Sequence, residues 1–182
     1  QHRTIWSIHQ YDEAREVLAR LGDSAAARAA KAPSAREQAY LQAVELLYGT
    51  GSLREREIAY SEAMRTLSEA YPEDTEALAW YGLSLMRITP LGLTREQTRS
   101  LLAATSLRVL SRNPRHPGAN RYLIQATDDP ENTGLGIVAV ENLARIETDA
   151  AEALHIPSHY WLQHGMWQEV AESNWRAFES SM

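Results

Sequence analysis

The spacing of apolar residues constrains the fold of this chain more than any other feature of its sequence. Apolar side chains recur three, four and seven positions apart along most of the chain, so each segment can bury one face only as an α-helix. Residues 14–21 and 78–85 show this spacing, and so do Tyr60, Met64 and Leu67. Strict alternation, which predicts a half-buried strand, is not found. The sequence therefore predicts an all-α protein.

Start and stop signals divide this pattern into helices. Ser34 with Glu37, and Thr94 with Gln97, have the spacing of capping boxes, in which two side chains satisfy backbone N–H groups at a helix start. Prolines and glycines fall between the periodic stretches, where helices have to end. About nine helices are predicted: 10–21, 34–48, 53–70, 74–88, 95–112, 117–127, 134–146, 150–164 and 167–180. Residues 23–32 are compatible with either helix or linker.

Charge and residue content narrow the classes of function. The 182 residues carry a formal net charge of −6. Lys31 is the only lysine, and all other basic side chains of the Lys or Arg type are arginines dispersed among carboxylates. Such a surface cannot neutralise a run of phosphates, so nucleic acid is not an expected partner. The lack of cysteine excludes disulfides and thiolate chemistry. No apolar stretch approaches the roughly 20 residues that span a bilayer.

Internal repetition decides the predicted architecture. A tetratricopeptide unit has about 34 residues and forms a pair of antiparallel helices, with small and aromatic residues at set positions. Residues 134–180 fit best, because Ser158 would let the paired helix approach while Trp161 and Trp167 fill the space beside it. Degenerate units lie near 54–88 and 95–127. We therefore expect residues 1–182 to form a single tetratricopeptide-like α-solenoid, a right-handed superhelix of stacked helix pairs.

Five longer segments carry a more specific likeness. HPGANRYLIQATDDPEN at 116–132, ALHIPSH at 153–159 and LQHGMWQEVAESN at 162–174, with LLYGTG at 46–51 and AYPEDTEALAWYGLSL at 70–85, resemble a family of bacterial tetratricopeptide-repeat proteins. The resemblance implies no established activity. It implies that Gln1 begins inside a longer or processed parent protein. Because family members often start from a secretion signal, it also implies an extracytoplasmic location, periplasmic or secreted.

The same resemblance marks individual positions. The residues that match the family pattern are His116, Asp128, Asp129, His155 and His159. The pattern has histidine where this chain has Arg121 and Gln125, and often where it has Asn132.

The spacing of the histidines predicts a shared site. His155 and His159 are four residues apart, so both project from one face of a helix, as zinc ligand pairs do. Arg121 lies 34 residues before His155, and Gln125 lies 34 residues before His159. Both should therefore occupy the equivalent positions in the first helix of the preceding repeat. With Gln163 one turn further along, these five residues are predicted to line one polar, concave groove.

Two chemistries are compatible with that groove. Arg121 stays protonated and cannot be a metal ligand, which favours a groove that grips a carboxylate or another hydrogen-bonding partner. A divalent transition metal would need His155 and His159 together with a third ligand, for which His116 or Asp128 is the candidate.

Structural explanations compete with both chemistries. Pro157 interrupts its helix, and the two neighbouring histidines could simply brace it. Asp128 and Asp129 could be an acid–base pair, but aspartate before Pro130 is also ordinary turn chemistry. The tryptophans suit a packed core, except that Trp6 and Trp175 fit the repeat least and could mark an exposed contact surface.

These observations predict a protein-interaction or assembly module. It would bind a peptide, a protein segment or another copy of itself in the polar groove. The alternative is a metal-binding protein or metal-dependent enzyme that uses His155 and His159. The sequence has no phosphate loop or nucleophile elbow, so no catalytic residue and no cofactor beyond that metal are predicted.

Overall fold

The computed structural model describes residues 11–146 and 150–182. Helices dominate, and neither of these two ranges contains a β-strand, which confirms the prediction of an all-α protein. No helix within them combines the length and apolar content that crossing a membrane requires. The chain divides into two compact units, residues 1–77 and 78–182. The single solenoid domain over 1–182 stays a prediction.

The first unit is built on a hairpin of two long helices. It contains α1 (Tyr11–Leu21), α2 (Ala25–Ala29), α3 (Ala35–Leu47) and α4 (Leu53–Ala70). A capping box begins each helix of the hairpin: the predicted Ser34 with Glu37, and Ser52 with Glu55, which was not predicted. The buried residues of the hairpin include Ala43, Leu47, Tyr60, Met64 and Leu67.

Helix α1 is attached through its first turn. The hydroxyl of Tyr11 donates to the Gly49 carbonyl, and the guanidinium of Arg56 lies 4.1 Å from the centre of the Tyr11 ring. The predicted apolar stripe further along is not buried within the described structure: Val17 is 55 % exposed, and Leu21 is exposed as well.

The second unit is a succession of packed helices. It contains the end of α5 (Thr75–Leu85), then α6 (Arg95–Leu110), α7 (Pro117–Ala126), a 3₁₀ turn (Thr133–Gly136), α8 (Ile137–Ala144), α9 (Ala151–His155), α10 (Pro157–Gln163) and α11 (Trp167–Glu179). Helix α6 packs on α7, α7 packs on α8, and α9 and α10 both pack on α11. Their buried side chains include Leu102, Val109, Tyr122, Leu123, Val140, Leu143 and Ile156.

Pro157 splits the helix predicted over 150–164. Helix α9 ends at His155 and α10 begins at Pro157, because proline has no N–H to donate to the preceding turn. Ile156 between them keeps helical dihedral angles (φ −53°, ψ −39°), so the chain continues in nearly the same direction. On the facing helix α11, Ser173 Oγ donates to the Leu154 carbonyl at 2.5 Å, which gives a carbonyl of the interrupted turn a partner.

Both tryptophans of the last helix are exposed, which was expected as a possibility for Trp175 only. Trp167, expected to fill the space beside Ser158, is 68 % exposed, whereas Ser158 is buried. That expectation was wrong, because Trp167 is the first residue of α11 and most of its side chain faces solvent. Trp175 is exposed, with its ring 5.8 Å from that of Phe178. Trp6 lies outside the described residues.

Candidate functional site

The start of α7 is held by His116. Its Nδ1 accepts a hydrogen bond from the backbone N–H of Ala119 at 3.0 Å, and Pro117 occupies the first helical position, where no N–H is needed. Nδ2 of Asn120 donates to the carbonyls of Pro114 and His116, both at 3.0 Å. His116, which the sequence suggests as a third metal ligand, is therefore a buried helix cap.

Two contacts join α7 and its following turn to α9 and α10. Nη2 of Arg121 donates to the carboxylate of Glu152, and Nδ1 of His159 donates to Oδ2 of Asp128 at 2.9 Å. The two residues of each contact are 31 positions apart in the sequence. Moving seven residues along the chain from Arg121 to Asp128 therefore corresponds to moving seven residues from Glu152 to His159. The two segments therefore run side by side in the same direction.

Four residues from different elements form a continuous row of polar contacts. Asp128, in the turn after α7, accepts from His159 on α10. Nε2 of His159 lies 3.3 Å from Nε2 of His155 at the end of α9, and the two ring planes are inclined at 79°. Nδ1 of His155 lies 2.6 Å from Oδ1 of Asn174 on α11. We call Asp128, His159, His155 and Asn174 the polar row.

The ends of the polar row determine which ring nitrogens carry hydrogen. Nδ2 of Asn174 donates to the Val170 carbonyl at 2.8 Å, so its Oδ1 is the atom that accepts from Nδ1 of His155. The carboxylate of Asp128 likewise accepts from Nδ1 of His159. A neutral imidazole carries one N–H, so both Nε2 atoms then present lone pairs towards each other. Two ring nitrogens 3.3 Å apart are thus left to face each other without an N–H between them.

Arg121 has hydrogen-bonding capacity that the described structure does not use. Its side chain is only 11 % exposed, and beyond the contact with Glu152 its Nε and Nη1 atoms are buried without a hydrogen-bond partner there. A buried donor left unmatched costs about 1–3 kcal/mol. Arg121 therefore has two buried donors that only an enclosed water molecule or a rearrangement of the side chain can satisfy.

The two predicted glutamines flank Asp128. Nε2 of Gln163 lies 3.5 Å from Oδ1 of Asp128, a long contact. Gln125, one turn after Arg121 on α7, lines a cavity of about 490 Å³ together with Asp128. The five predicted groove residues thus lie on α7, α9 and α10, the segments joined by the contacts described above.

The cavity beside Gln125 is rich in arginine. Its charged lining residues are Arg87, Arg95, Arg99 and Asp128. Arg99 is fixed by donating to the Ala126 carbonyl at 3.1 Å and to Asp129 at 2.7 Å. Counting Asp129, which pairs with Arg99 beside the lining, three guanidinium groups stand against two carboxylates around this cavity, in a chain whose formal net charge is −6. A positive concave surface concentrates acidic groups.

Asp129 holds the turn rather than the polar row. Its Oδ1 accepts the backbone N–H groups of Glu131 at 3.0 Å and Asn132 at 2.9 Å, and its Oδ2 pairs with Arg99. Desolvation raises the pKa of Asp129, but hydrogen bonds from Asn132 and the positive charge of Arg99 outweigh it and bring that pKa below the ordinary value. Adjacent carboxylates therefore serve different purposes, since Asp129 performs turn chemistry and Asp128 orients His159.

The four predicted metal ligands are brought together only in part. His155, His159 and Asp128 belong to the polar row, but Asp128 contacts Nδ1 of His159, not the Nε2 atoms, and His116 caps α7. Within residues 11–146 and 150–182, no three His, Cys, Asp or Glu side chains are grouped so that they could hold a metal ion among themselves.

Sequence reasoning missed Glu152 and Asn174. Glu152 stands three residues before His155, a spacing that places both on one helical face and could have indicated its position. Asn174 comes from the next helix, 19 residues beyond His155, and nothing in its local sequence marks it.

No family model, no curated protein and no solved structure matches this chain. The function therefore has to be inferred from the residues themselves.

Proposed function

We propose that this chain is a binding module of the tetratricopeptide type that takes an acidic peptide segment of a partner protein. The binding surface comprises Arg121, Gln125, His155, His159 and Gln163, together with the arginine-lined cavity beside Gln125 and Asp128. The observation that carries the proposal is this cavity of about 490 Å³, which three arginines line and where Arg95 is exposed.

Stacked helix pairs would account for a groove in this place. Helix α7 with α8 forms one pair, and α9 and α10 with α11 form the next. The contacts Arg121–Glu152 and Asp128–His159 join α7 and its following turn to α9 and α10 at an offset of 31 residues, close to the roughly 34 of a tetratricopeptide repeat. In repeat proteins, successive units create the extended concave surface that binds partners.

An acidic segment suits the donors that this surface offers. Arg95 is exposed at the first position of α6 and lines the cavity with Thr98 and Gln125. Guanidinium groups bind carboxylates through two parallel hydrogen bonds. The two unmatched donors of Arg121 are buried, so a carboxylate or a peptide carbonyl reaches them only when that side chain rearranges. Because the exposed charges are screened by salt, affinity should fall as ionic strength rises.

Charge reversal at Arg95 tests the proposal. Arg95→Glu changes the cavity lining, whereas Arg108→Glu makes the same change on an exposed position of the same helix, outside the cavity. The probe is an array of labelled peptides in which each acidic member has a counterpart with Asn for Asp and Gln for Glu. We expect acidic members to bind, and Arg95→Glu to weaken them about tenfold, which corresponds to about 1.4 kcal/mol.

The control variant and the amide peptides decide the outcome. Arg108→Glu should bind like the unmodified chain. Equal binding of acidic and amide peptides, or equal losses in both variants, would refute an acidic ligand. A second copy of the chain is the competing occupant. It would be indicated by a dimer in sedimentation velocity that Arg95→Glu dissociates and Arg108→Glu does not.

A further inference from the structure

The Nε2 atoms of His155 and His159 are spaced like two ligands of one tetrahedral metal ion. Zinc binds imidazole nitrogen at about 2.0–2.1 Å, and two such bonds at about 109° separate the nitrogens by about 3.3 Å. The observed separation is 3.3 Å. Ligands at about 90° around a square-planar ion would be closer, at about 2.9 Å. The distance between the two Nε2 atoms therefore does not have to change for a tetrahedral ion to bind.

Both rings are already oriented through their other nitrogen. Nδ1 of His159 donates to the Asp128 carboxylate, and Nδ1 of His155 donates to the amide oxygen of Asn174. Histidines that bind metals characteristically donate this second N–H to a carboxylate or carbonyl oxygen, which fixes the tautomer and makes the free nitrogen more basic. Each ring thus presents a lone pair on Nε2, the atom that faces the other ring.

The backbone around the pair is rigid, and the rings remain accessible. Ile156, Pro157 and Ser158 are buried, and they hold α9 and α10 in nearly continuous helical geometry. The side chain of His159 is 37 % exposed and His155 is half-buried. An ion and its water molecules can therefore reach the two Nε2 atoms.

The neighbouring charges do not oppose a cation. Arg121 carries a positive charge, but Glu152, one turn before His155, pairs with that guanidinium. Asp128 adds a negative charge behind His159. The charged groups around the two histidines are thus two carboxylates, Asp128 and Glu152, and one guanidinium, Arg121.

From these contacts we propose that His155 and His159 form a half-site for a tetrahedral divalent transition metal such as Zn²⁺, with Asp128 and Asn174 as positioning residues. The two remaining coordination positions are taken by water or by a donor group of a bound molecule. Open positions of this kind distinguish zinc sites that accept an external ligand from closed structural ones. The site does not depend on the acidic-peptide function proposed above.

Metal titration of the full chain tests the half-site. After treatment with a chelator, Zn²⁺ is added and followed by calorimetry at neutral pH, and Co²⁺ is added as a spectroscopic probe. We expect one ion per chain and the intense visible absorption of tetrahedral Co²⁺. The double variant His155→Ala/His159→Ala should lose both signals. His164→Ala removes an exposed histidine outside the polar row and should keep them.

The positioning residues give a graded test. Replacing an outer partner of a metal-bound histidine typically weakens binding about 10–100-fold. Asn174→Ala should therefore weaken Zn²⁺ binding within that range without changing the stoichiometry, while Asp128→Asn, which keeps an acceptor oxygen, should weaken it less. A purely structural role of these residues would lower stability but leave the affinity of the folded chain unchanged.

Nitrogen NMR of the imidazole rings uses the unmodified chain, so this test remains valid even when the double variant does not fold. Zn²⁺ should shift the Nε2 resonances of His155 and His159 and leave those of His164 in place. Unshifted Nε2 resonances, an octahedral Co²⁺ spectrum, or equal zinc binding by a folded double variant would each overturn the proposal.

Discussion

Asp128 lies 2.9 Å from Nδ1 of His159, a residue 31 positions further along the chain, whereas its neighbour Asp129 binds the backbone of its own turn. The two carboxylates are adjacent in sequence but bind different partners. Asp128 belongs to the polar row that orients the histidines, and Asp129 fixes the connection between α7 and the 3₁₀ turn. Substitutions at the two positions should therefore have different consequences.

The first prediction concerns these two carboxylates. Asp129→Ala removes the acceptor of two backbone N–H groups and the partner of Arg99, so it should lower the Tm of the chain more than Asp128→Ala does. Asp128→Ala should instead change the imidazole NMR signals of His159, because that ring loses the acceptor of its Nδ1 proton. Thermal unfolding and NMR of both variants check the prediction. Equal Tm losses would contradict it.

The second prediction concerns acid unfolding. The pKa of Asp129 is lower in the folded chain than its ordinary value of about 3.9, so the unfolded chain takes up this proton at higher pH than the folded chain does. The stabilisation is complete above about pH 5 and is lost as the pH falls through the unfolded value and then through the lower, folded pKa. The Tm difference between the unmodified chain and Asp129→Asn should thus shrink on acidification. A difference that stays constant with pH would show that the charge of Asp129 has no part in it.

The third prediction concerns Gly136 at the end of the 3₁₀ turn. A Cβ atom there would stand 2.7 Å from Oγ1 of Thr127, which is buried and donates to the Leu123 carbonyl at 2.8 Å. Gly136→Ala should therefore cost about 1–3 kcal/mol in the free energy of unfolding. Gly134→Ala is the matched control in the same turn, because a Cβ at Gly134 meets no atom within 4 Å. Denaturant unfolding that finds similar losses for both would contradict the packing described here.

The fourth prediction separates stability from binding at Arg121. Two of its nitrogens are buried without a partner in the described structure, and its ion partner Glu152 is partly exposed to water. Removing one member of an ion pair is strongly destabilising when the remaining charge is buried, but the side chain of Glu152 is 38 % exposed to water. Arg121→Met should therefore keep the free energy of unfolding within about 1 kcal/mol but lose affinity for acidic peptides. A variant that unfolds easily, or that binds these peptides normally, would argue against a ligand-binding Arg121.

The helices and their beginnings could be predicted because their signals are local. The capping boxes at Ser34 and Thr94 need only a partner three residues away, and both are present. The break at Pro157 also follows from one residue, since proline has no N–H. The sequence did not predict that the apolar stripe of α1 would be exposed or that Trp167 would lie open to solvent. Burial depends on what packs against a helix, and the helix's own sequence does not contain that information.

The shared helical face of His155 and His159 follows from their spacing, because a separation of four residues is nearly one turn. The contacts of Asp128 and Asn174 with the two rings, and of Glu152 with Arg121, arise only when the helices pack. These contacts depend on the register between helices. A slip of one residue turns a helical side chain by about 100°, so contacts across 19 or 31 residues exist only after the buried side chains of α7, α9, α10 and α11 have fixed how these helices pack.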